Sequence, residues 1–306
     1  MQRQYKDYLS DFKSWNQKSH ARDWLLFSKN IGSHLSLDET AFSNGDLYTI
    51  LTNKKAKGKK GAIVAMVKGT KAETVIKILH KIPLKQRKKV KEATLDMAGN
   101  MGLIVKKSFP NATLVIDRFH VQKLALDALQ EIRIKHRWDA IDAENDQIES
   151  ARNKSLKYTP ELLENGDTLK QLLARSRYLL YKSSNKWTEN QANRAVILFQ
   201  RYPDLEKAYK LCQNLSWIFN NTKDKTSALI RLAKWDEKVR QAAFKSFNTI
   251  ARTMSIHYKN ILNYFDNRST NASAESFNAK IKAFRAQFRG VRNVDFFLYR
   301  LTTIFA

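Results

Sequence analysis

Hydrophobic and polar positions change their spacing once along this chain, near residue 121. Before that point, short apolar runs alternate with breaker residues, which is typical of β-strands separated by turns and helices. Helical spacing appears twice between the later runs, over Thr70–Ile82 and Met97–Phe109. The predicted order is therefore β-β-β-α-β-α-β, with strands at Leu35–Glu39, Leu47–Thr52, Ala62–Val67, Val90–Leu95 and Ala112–Ile116.

After residue 122, nearly all apolar positions follow helical spacing. Residues that end helices predict breaks near Pro160, Gly166 and Pro203. A last amphipathic helix is expected over Ser269–Phe288, with a cap from Ser269, Thr270 or Asn271 and an end near Gly290. At the other end of the chain, Tyr5–Ser28 predicts one or two amphipathic helices.

The element order before residue 121 resembles that of the RNase H-like fold, whose mixed sheet begins with three antiparallel strands. The predicted fold class is α+β or α/β, an RNase H-like mixed sheet with flanking helices that is interrupted by a large all-α insertion. We therefore expect four parts: a helical leader at 1–33, the first part of the RNase H-like core at 34–122, the insertion at 123–262 and the last part of the core at 263–306.

The charge of the chain indicates an anionic partner. It has 306 residues, with 55 Lys and Arg against 29 Asp and Glu, and a net charge of +26. Such an excess favours binding to nucleic acid. The longest apolar runs are too short to cross a bilayer, so no membrane partner is expected. Cys212 is the only cysteine, which excludes an intrachain disulfide and agrees with a cytoplasmic location.

Three acidic residues stand where this topology brings elements together. Asp38 and Asp96 are placed at the ends of the first and fourth predicted strands, which are neighbours in an RNase H-like sheet, and Glu275 lies on the late helix. Crowded carboxylates repel each other unless they share protons or hold cations. Oxygen ligands favour Mg²⁺ or Mn²⁺. We therefore expect a two-metal site on these residues that acts on a phosphodiester.

The second aspartate has an alternative. Asp117 ends the fifth predicted strand and forms an Asp-x-x-His motif with His120. We favour Asp96, because the fourth strand supplies the second metal ligand in RNase H-like folds, and we expect Asp117 to orient His120. A buried core histidine is an equally good interpretation of His120. Glu39 is left out of the site, because successive residues of a regular strand face opposite sides.

The residues around these acids resemble those of the ISL-three group of insertion-sequence transposases. The resemblance extends from about Ser36 to Phe305. It rests on Leu37-Asp38-Glu39, on Leu95-Asp96-Met97-Ala98, on Ile116-Asp117-Arg118-Phe119-His120, and above all on the stretch from Thr270 to Lys282 followed by Arg289-Gly290. The resemblance implies a DDE triad of Asp38, Asp96 and Glu275, with a helical segment inserted before the third member.

One stripe of the late helix is expected to contact DNA. Polar residues at spacings of three or four follow Glu275, and the DNA-binding candidates are Asn278, Lys280, Lys282, Arg285 and Arg289. A solvated face opposite the apolar Phe277, Ile281, Phe284 and Phe288 is the alternative interpretation. The Lys-rich clusters at 54–60 and 85–91 could also neutralise phosphates.

These observations together predict a transposase that uses divalent metal to cut DNA at the ends of an insertion sequence and to join the released 3′-hydroxyl to target DNA. A nuclease of RNase H-like fold without strand transfer is one alternative, and a degenerate, non-catalytic nucleic-acid-binding fragment is another. Family members usually carry an N-terminal zinc-binding and helix-turn-helix region, whereas the residues before Asp38 contain no cysteine pair. We therefore expect a separate DNA-reading polypeptide as a possible partner, a homo-oligomer on DNA and a nucleoid-associated location.

Overall fold

A computed structural model describes residues 4–41, 46–287 and 293–306 of the chain. The chain divides into two compact units, of which the first comprises Met1–Arg118 and Lys259–Ala306 and the second Phe119–Tyr258. Within the described residues, none of the helices combines the length and the apolar character that a membrane span requires.

The first unit is built on a six-stranded mixed sheet. Its strands are β1 (Trp24–Leu26), β2 (His34–Ala41), β3 (Leu47–Asn53), β4 (Ile63–Lys68), β5 (Glu92–Leu95) and β6 (Thr113–Ile116). They lie in the order β1-β4-β3-β2-β5-β6. The pairs from β1 to β2 are antiparallel, whereas β2, β5 and β6 are parallel. This mixed sheet with helices is consistent with the RNase H-like fold predicted from the sequence.

The helices are numbered along the chain. They are α1 (Ala72–Leu79), α2 (Leu84–Arg87), α3 (Gly99–Ser108), α4 (Arg118–Asn153), α5 (Leu169–Arg175), α6 (Glu189–Arg201), α7 (Pro203–Asn221), α8 (Lys225–Ala242), α9 (Lys245–Leu262), α10 (Tyr264–Asn267), α11 (Ala272–Gln287) and α12 (Val294–Phe305). Short 3-10 or π-helical turns occur at Tyr5–Leu9, Lys18–His20, Ser28–Asn30, Lys54–Ala56, Leu179–Tyr181 and Ser184–Lys186.

Both faces of the sheet are covered by helices of the first unit. Helices α1 and α3 contact each other, and between them they reach β4, β5 and β6. Apolar residues of β1, β3 and β4 form one core cluster with α11 and α12, and its members include Leu25, Ile50, Met66, Phe277, Ile281, Phe284 and Leu298. Phe277, Ile281 and Phe284 recur at helical spacing, so one stripe of α11 is fixed against the sheet.

The N-terminal prediction was wrong in one respect. Tyr5–Ser28 was expected to form one or two amphipathic helices, yet Trp24–Leu26 is a strand and only short helical turns precede it. Trp24 pairs with Val67 of β4, and Leu25 between its neighbours is fully buried. A three-residue strand carries almost no periodic signal, and a partner about 40 residues away along the chain decides its conformation.

The regular elements of the second unit are all helical. Its long first helix ends at Asn153, the next α-helix begins at Leu169, and α7 begins at Pro203, so the predicted breaks are confirmed. Two helix starts carry reciprocal capping boxes, Thr168 with Gln171 and Thr188 with Gln191. Apolar side chains such as those of Leu172, Leu198, Leu215 and Trp235 are buried within this unit.

Candidate metal centre

Three aspartates lie side by side on the three parallel strands. Ser36 of β2 is the register partner of Thr94 of β5, and Thr94 is the partner of Val115 of β6. Two residues further along each chain segment stand Asp38, Asp96 and Asp117. Because parallel neighbours advance together, all three residues occupy the same level of the sheet. The backbone N–H of Asp117 donates to the carbonyl of Leu95 at 3.0 Å, which extends this alignment beyond β6.

The position of Asp38 differs from the prediction in detail. Asp38 was expected at the end of its strand, but β2 continues to Ala41. The extra residues pair with β3, in which Leu47 opposes Ala41, whereas β5 already ends at Leu95. The length of β2 is therefore set by its antiparallel partner. The turn predicted between these two strands falls largely on residues 42–45, outside the described part of the chain.

Helix α11 brings a fourth carboxylate to these strands. One ligand atom each from Asp117, His120 and Glu275 lies within 4.8 Å of the other two. Asp117 is buried, His120 is half-buried and Glu275 is exposed. His120 follows Asp117 by one turn, at the start of α4, so local helix geometry brings the imidazole close to the Asp117 carboxylate.

Asn271 fixes the geometry between Asp117 and Glu275. Its backbone N–H donates to Asp117 Oδ2 at 3.1 Å, and its carbonyl accepts the backbone N–H of Glu275 at 2.9 Å. The residue is fully buried. Within the described residues its Oδ1 atom has no hydrogen-bond donor. A buried acceptor of this kind is costly without a partner, and it suits an ion or a water molecule held by the neighbouring carboxylates.

The donor set fits a divalent cation. Two carboxylates and one imidazole converge at this point. Carboxylate oxygens are the ligands preferred by Mg²⁺ and Mn²⁺, whereas imidazole extends the range toward other transition metals. Asn271, whose backbone N–H contacts Asp117 Oδ2, also carries a buried Oδ1 atom without a donor among the described residues.

The Asp38 carboxylate is held by the same helix. Asn278 Nδ2 donates to Asp38 Oδ2 at 2.7 Å, and the backbone N–H of Glu39 donates to Asp38 Oδ1 at 2.8 Å. Residues 275 and 278 are one turn apart and share a face of α11. The helix therefore places Glu275 beside Asp117, the residue after β6, and Asn278 beside Asp38 of β2.

Asp96 directly follows β5, the strand between β2 and β6. Its Oδ1 atom accepts the backbone N–H of Ala98 at 2.7 Å, which holds the turn into α3. Among the described residues, Asp38, Asp96 and Glu275 are not gathered as closely as Asp117, His120 and Glu275 are. The closer cluster thus joins Glu275 of the predicted triad to the two residues that were assigned a supporting role.

Glu39 belongs to the electrostatic surroundings of the site, although the strand pattern left it out. Burial raises the pKa of the Glu39 carboxyl, the negative charge of Asp96 raises it further, and a hydrogen bond from Asn100 opposes the shift. The charge of Asp38 adds to the rise in the Glu39 pKa. Three acidic residues, Asp38, Glu39 and Asp96, therefore interact electrostatically on β2 and just after the end of β5.

A buried ion pair anchors the segment that leads into α11. Lys54 Nζ donates to Thr94 Oγ1 at 2.8 Å and to Glu92 Oε1 at 3.4 Å, and it also contacts Ser269 Oγ. Ser269 Oγ donates in turn to Glu92 Oε1, and Asn267 Nδ2 reaches Glu92 Oε2 at 3.5 Å. The side chains of Lys54 and Glu92 are only 15% and 5% exposed.

This network was not predicted, because Lys54 was grouped with a solvent-facing basic cluster. Burial lowers the pKa of Lys54, while the charges of Glu92 and Asp117 oppose that shift. The available signal was a glutamate inside the predicted strand Val90–Leu95, since a charge that a sheet buries requires a partner. The network joins β3, β5 and the start of α11, and it places Ser269 two residues before Asn271.

The predicted DNA contacts of α11 fall into three groups. Lys282 is exposed and Arg285 is half-buried, on the stripe opposite the buried Phe277, Ile281 and Phe284. Lys280 Nζ donates to the carbonyl of Gly58 at 2.7 Å and lies over the Phe305 ring, so it holds a loop of the protein. Arg289 and Phe288 lie outside the described residues.

The two basic clusters are also partly structural. Arg87 is buried and donates to the carbonyls of Ile82 and Ser108 at 3.0 and 2.7 Å. Lys54 is the buried cation described above. The remaining lysines are exposed, at positions 55, 57, 59, 60, 85, 88, 89 and 91. These eight side chains can therefore still face an anionic partner.

Comparison with known proteins identifies the family. A family model for DDE transposases of the ISL3 group, described as "Transposase", matches residues 35–301. A curated protein, "Transposase for insertion sequence element IS1001" of Bordetella parapertussis, is 22% identical over 278 residues, which cover 89% of this chain and 61% of that protein. The chain thus spans less than two thirds of the length of this relative. Since the family model covers most of the chain, the protein belongs to the ISL3 family of DDE transposases.

Proposed function

We propose that this chain is the catalytic part of a transposase that cuts DNA at the ends of an insertion sequence and transfers the cut strand into target DNA. The observation that carries the proposal is the meeting of Glu275 with Asp117 and His120 at strand ends where Asp38 and Asp96 stand at the same level. Such a cluster of carboxylates is suited to divalent metal and to phosphodiester chemistry.

Asp38, Asp96 and Glu275 are proposed as the catalytic metal ligands. Asp117 and His120 are proposed to support Glu275, either as additional ligands or by orienting it. When bound, a pair of Mg²⁺ or Mn²⁺ ions supplies Lewis-acid activation of the attacking and leaving oxygens of the phosphodiester. The chain's own contribution is rigid placement, because the Asn271 N–H fixes Asp117 and the Asn278 amide fixes Asp38.

The DNA strand is proposed to follow the polar stripe of α11. Lys282 and Arg285 continue from Glu275 and Asn278 on the helix surface opposite the core, so cations follow carboxylates at helical spacing. Their charges and the net charge of +26 favour phosphate binding. Residues 123–262 are proposed as the helical insertion of the family, and a homo-oligomer with a separate DNA-reading polypeptide is proposed to act at the element ends.

A cleavage and joining assay tests the proposal. The substrate is a labelled duplex that carries the inverted repeat found beside the gene, together with a supercoiled target plasmid and Mg²⁺ or Mn²⁺. Wild type should release a 3′-hydroxyl end and join it to the plasmid, and Glu275→Gln should do neither while still binding DNA. Hydrolysis without joined products would indicate a nuclease without strand transfer. DNA binding without any cleavage, with the repeat and both metals supplied, would indicate a non-catalytic fragment.

A further inference from the structure

A cavity of about 420 Å³ opens on the second unit. It is formed by one face of α4, by the 3-10 turn Leu179–Tyr181 and by α7. Leu126 and Cys212 provide apolar lining. Cys212 is buried, its Sγ donates to the carbonyl of Ala125 at 3.2 Å, and burial raises the pKa of its thiol, so this part of the cavity carries no charge.

Aromatic rings line the cavity above this apolar part. Phe119 and Tyr181 are both 40% exposed, although large apolar side chains of this kind are usually covered. An occupant with a flat apolar face would therefore gain contact area against either ring.

Polar groups complete the lining. The side-chain amide of Gln122 has its Nε2 atom buried, and within the described residues no acceptor receives its hydrogens. An unsatisfied buried donor is unfavourable, and a hydrogen bond to a ligand oxygen or ring nitrogen would remove that cost. Gln213 and Ser216 add further hydrogen-bonding groups, and Lys123 places an exposed cation at the rim.

We propose that this cavity binds one unpaired nucleobase of the DNA on which the chain acts. The inference rests on the proposed function for the presence of DNA. A nucleobase has two apolar faces, an edge of donors and acceptors, and an attached phosphate, and these correspond to the aromatic rings, the amides and Lys123. Phe119 is also the sequence neighbour of His120, which belongs to the candidate metal centre.

The site is a general one for single bases. Stacking tolerates any base, because every base has an apolar face, and the two amides can each donate and accept. The exposed Trp138 and Trp217 are weaker candidates for the same role. Trp217 lies beneath Arg231, whose guanidinium carbon is 4.8 Å from the ring centroid.

The test uses three labelled duplexes of one arbitrary sequence. The first is fully paired, the second has one unpaired thymine in a bulge, and the third has an abasic unit at the bulge. Affinities are measured by fluorescence anisotropy in EDTA, without divalent metal. Stacking of one base contributes about 1–3 kcal/mol, so wild type should bind the thymine bulge at least about fivefold more tightly than either other duplex.

Variants of the ring residues assign that preference to the cavity. Tyr181→Ala and Phe119→Ala should abolish the fivefold preference and leave the affinity for paired duplex within about twofold, whereas Tyr181→Phe should keep the preference. Tyr178→Ala is the matched control, since Tyr178 is 67% exposed and lies outside the cavity lining. Thermal melting by circular dichroism confirms that each variant is folded.

Two results would overturn the base pocket. One is equal affinity of wild type for the thymine bulge and the abasic bulge. The other is an equal reduction of the thymine-bulge preference by Tyr181→Ala and by Tyr178→Ala. Neither depends on catalysis. A chain that cuts DNA but shows no bulge preference would overturn the pocket alone, and a chain that prefers the bulge but never cuts would overturn the proposed function alone.

Discussion

Replacing Lys54 by methionine should destabilise the protein strongly, because the substitution keeps the bulk of the side chain and removes the cation of a buried ion pair. Glu92, with its side chain only 5% exposed, would then face only the neutral donors Ser269 and Asn267. Removing one partner of a buried pair costs about 3–5 kcal/mol. Since two neutral hydrogen bonds to Glu92 remain in Lys54→Met, we expect its free energy of unfolding to fall by about 3 kcal/mol, the lower end of that range.

A double-mutant cycle separates the ion pair from general packing. Glu92→Gln should also cost about 3 kcal/mol, since it leaves the Lys54 cation buried. The double variant Lys54→Met with Glu92→Gln contains no uncompensated charge. Its free energy of unfolding should therefore fall by about 3 kcal/mol, whereas the sum of the two single losses is about 6 kcal/mol. The difference is a coupling energy of about 3 kcal/mol. Lys55→Met is the matched control, and because Lys55 is exposed its effect should stay within about 0.5 kcal/mol.

The measurement is urea unfolding followed by circular dichroism at neutral pH. Additive losses in the cycle would show that the charges do not interact. A decrease of less than about 1 kcal/mol in the free energy of unfolding of Lys54→Met would show that Lys54 is solvated in the folded protein. The pH dependence gives a second test. Burial lowers the pKa of Lys54 in the folded protein from its ordinary value of 10.5. Between those two pKa values the unfolded chain binds more protons, so stability rises with pH there, and Lys54→Met should lose that rise.

Three further predictions concern catalysis, DNA binding and alkaline stability. Asp38→Asn, Asp96→Asn and Glu275→Gln should each abolish cleavage and joining, and Asp117→Asn should retain more activity; the opposite ranking of Asp96 and Asp117 in the same assay would reassign the second aspartate. Replacing Lys282 and Arg285 by Ala should reduce the slope of log affinity against log salt by about one unit per lost phosphate contact, for specific and random DNA alike. An unchanged slope would place the phosphate path on the exposed lysines of the two basic clusters. Burial raises the pKa of Tyr48 and of Tyr209 to about 12. Each neutral hydroxyl therefore stabilises the folded state relative to the unfolded chain. The folded state loses about 1–2 kcal/mol of this stabilisation per tyrosine as the pH rises from about 10 to 12. Tyr48→Phe and Tyr209→Phe should each flatten the alkaline part of a stability–pH curve, and unchanged curves would contradict their burial as neutral groups.

The sheet was largely predictable because its strands are short apolar runs separated by breakers. Five of the six strands were placed from this pattern, including the buried run Ile63–Lys68 and the parallel pair at Glu92–Leu95 and Thr113–Ile116. The strand Trp24–Leu26 was missed because only pairing with β4 makes it a strand. Periodicity reports which face of an element is apolar, and a strand of three residues has too few positions to show one.

The sequence was sufficient to nominate the residues of the candidate site but not the contacts between them. Asp38, Asp96 and Asp117 were singled out because they lie at the ends of apolar runs, and Glu275 because of its place on the predicted late helix. The close grouping of Asp117 with Glu275 depends on where α11 crosses the sheet, which no local pattern specifies. Lys54 shows the same limit, because its burial is decided by Glu92 and Ser269, which are distant along the chain.

A helix that carries the last carboxylate has a physical advantage over a loop. The stripe of Phe277, Ile281 and Phe284 is buried against β1, β3 and β4, which fixes the rotation of α11 about its axis. Once that rotation is set, Glu275 and Asn278 have only one direction to face. Their separation along the helix axis is about 4.5 Å at 1.5 Å per residue, whereas β2 and β6 lie two strand spacings apart, about 9.5 Å, with β5 between them, so the reach of the two side chains covers the remaining distance. A single packed stripe can therefore place Glu275 beside β6 and direct Asn278 toward β2 at once, and the ion pair of Lys54 with Glu92 holds the start of the same helix against β3 and β5.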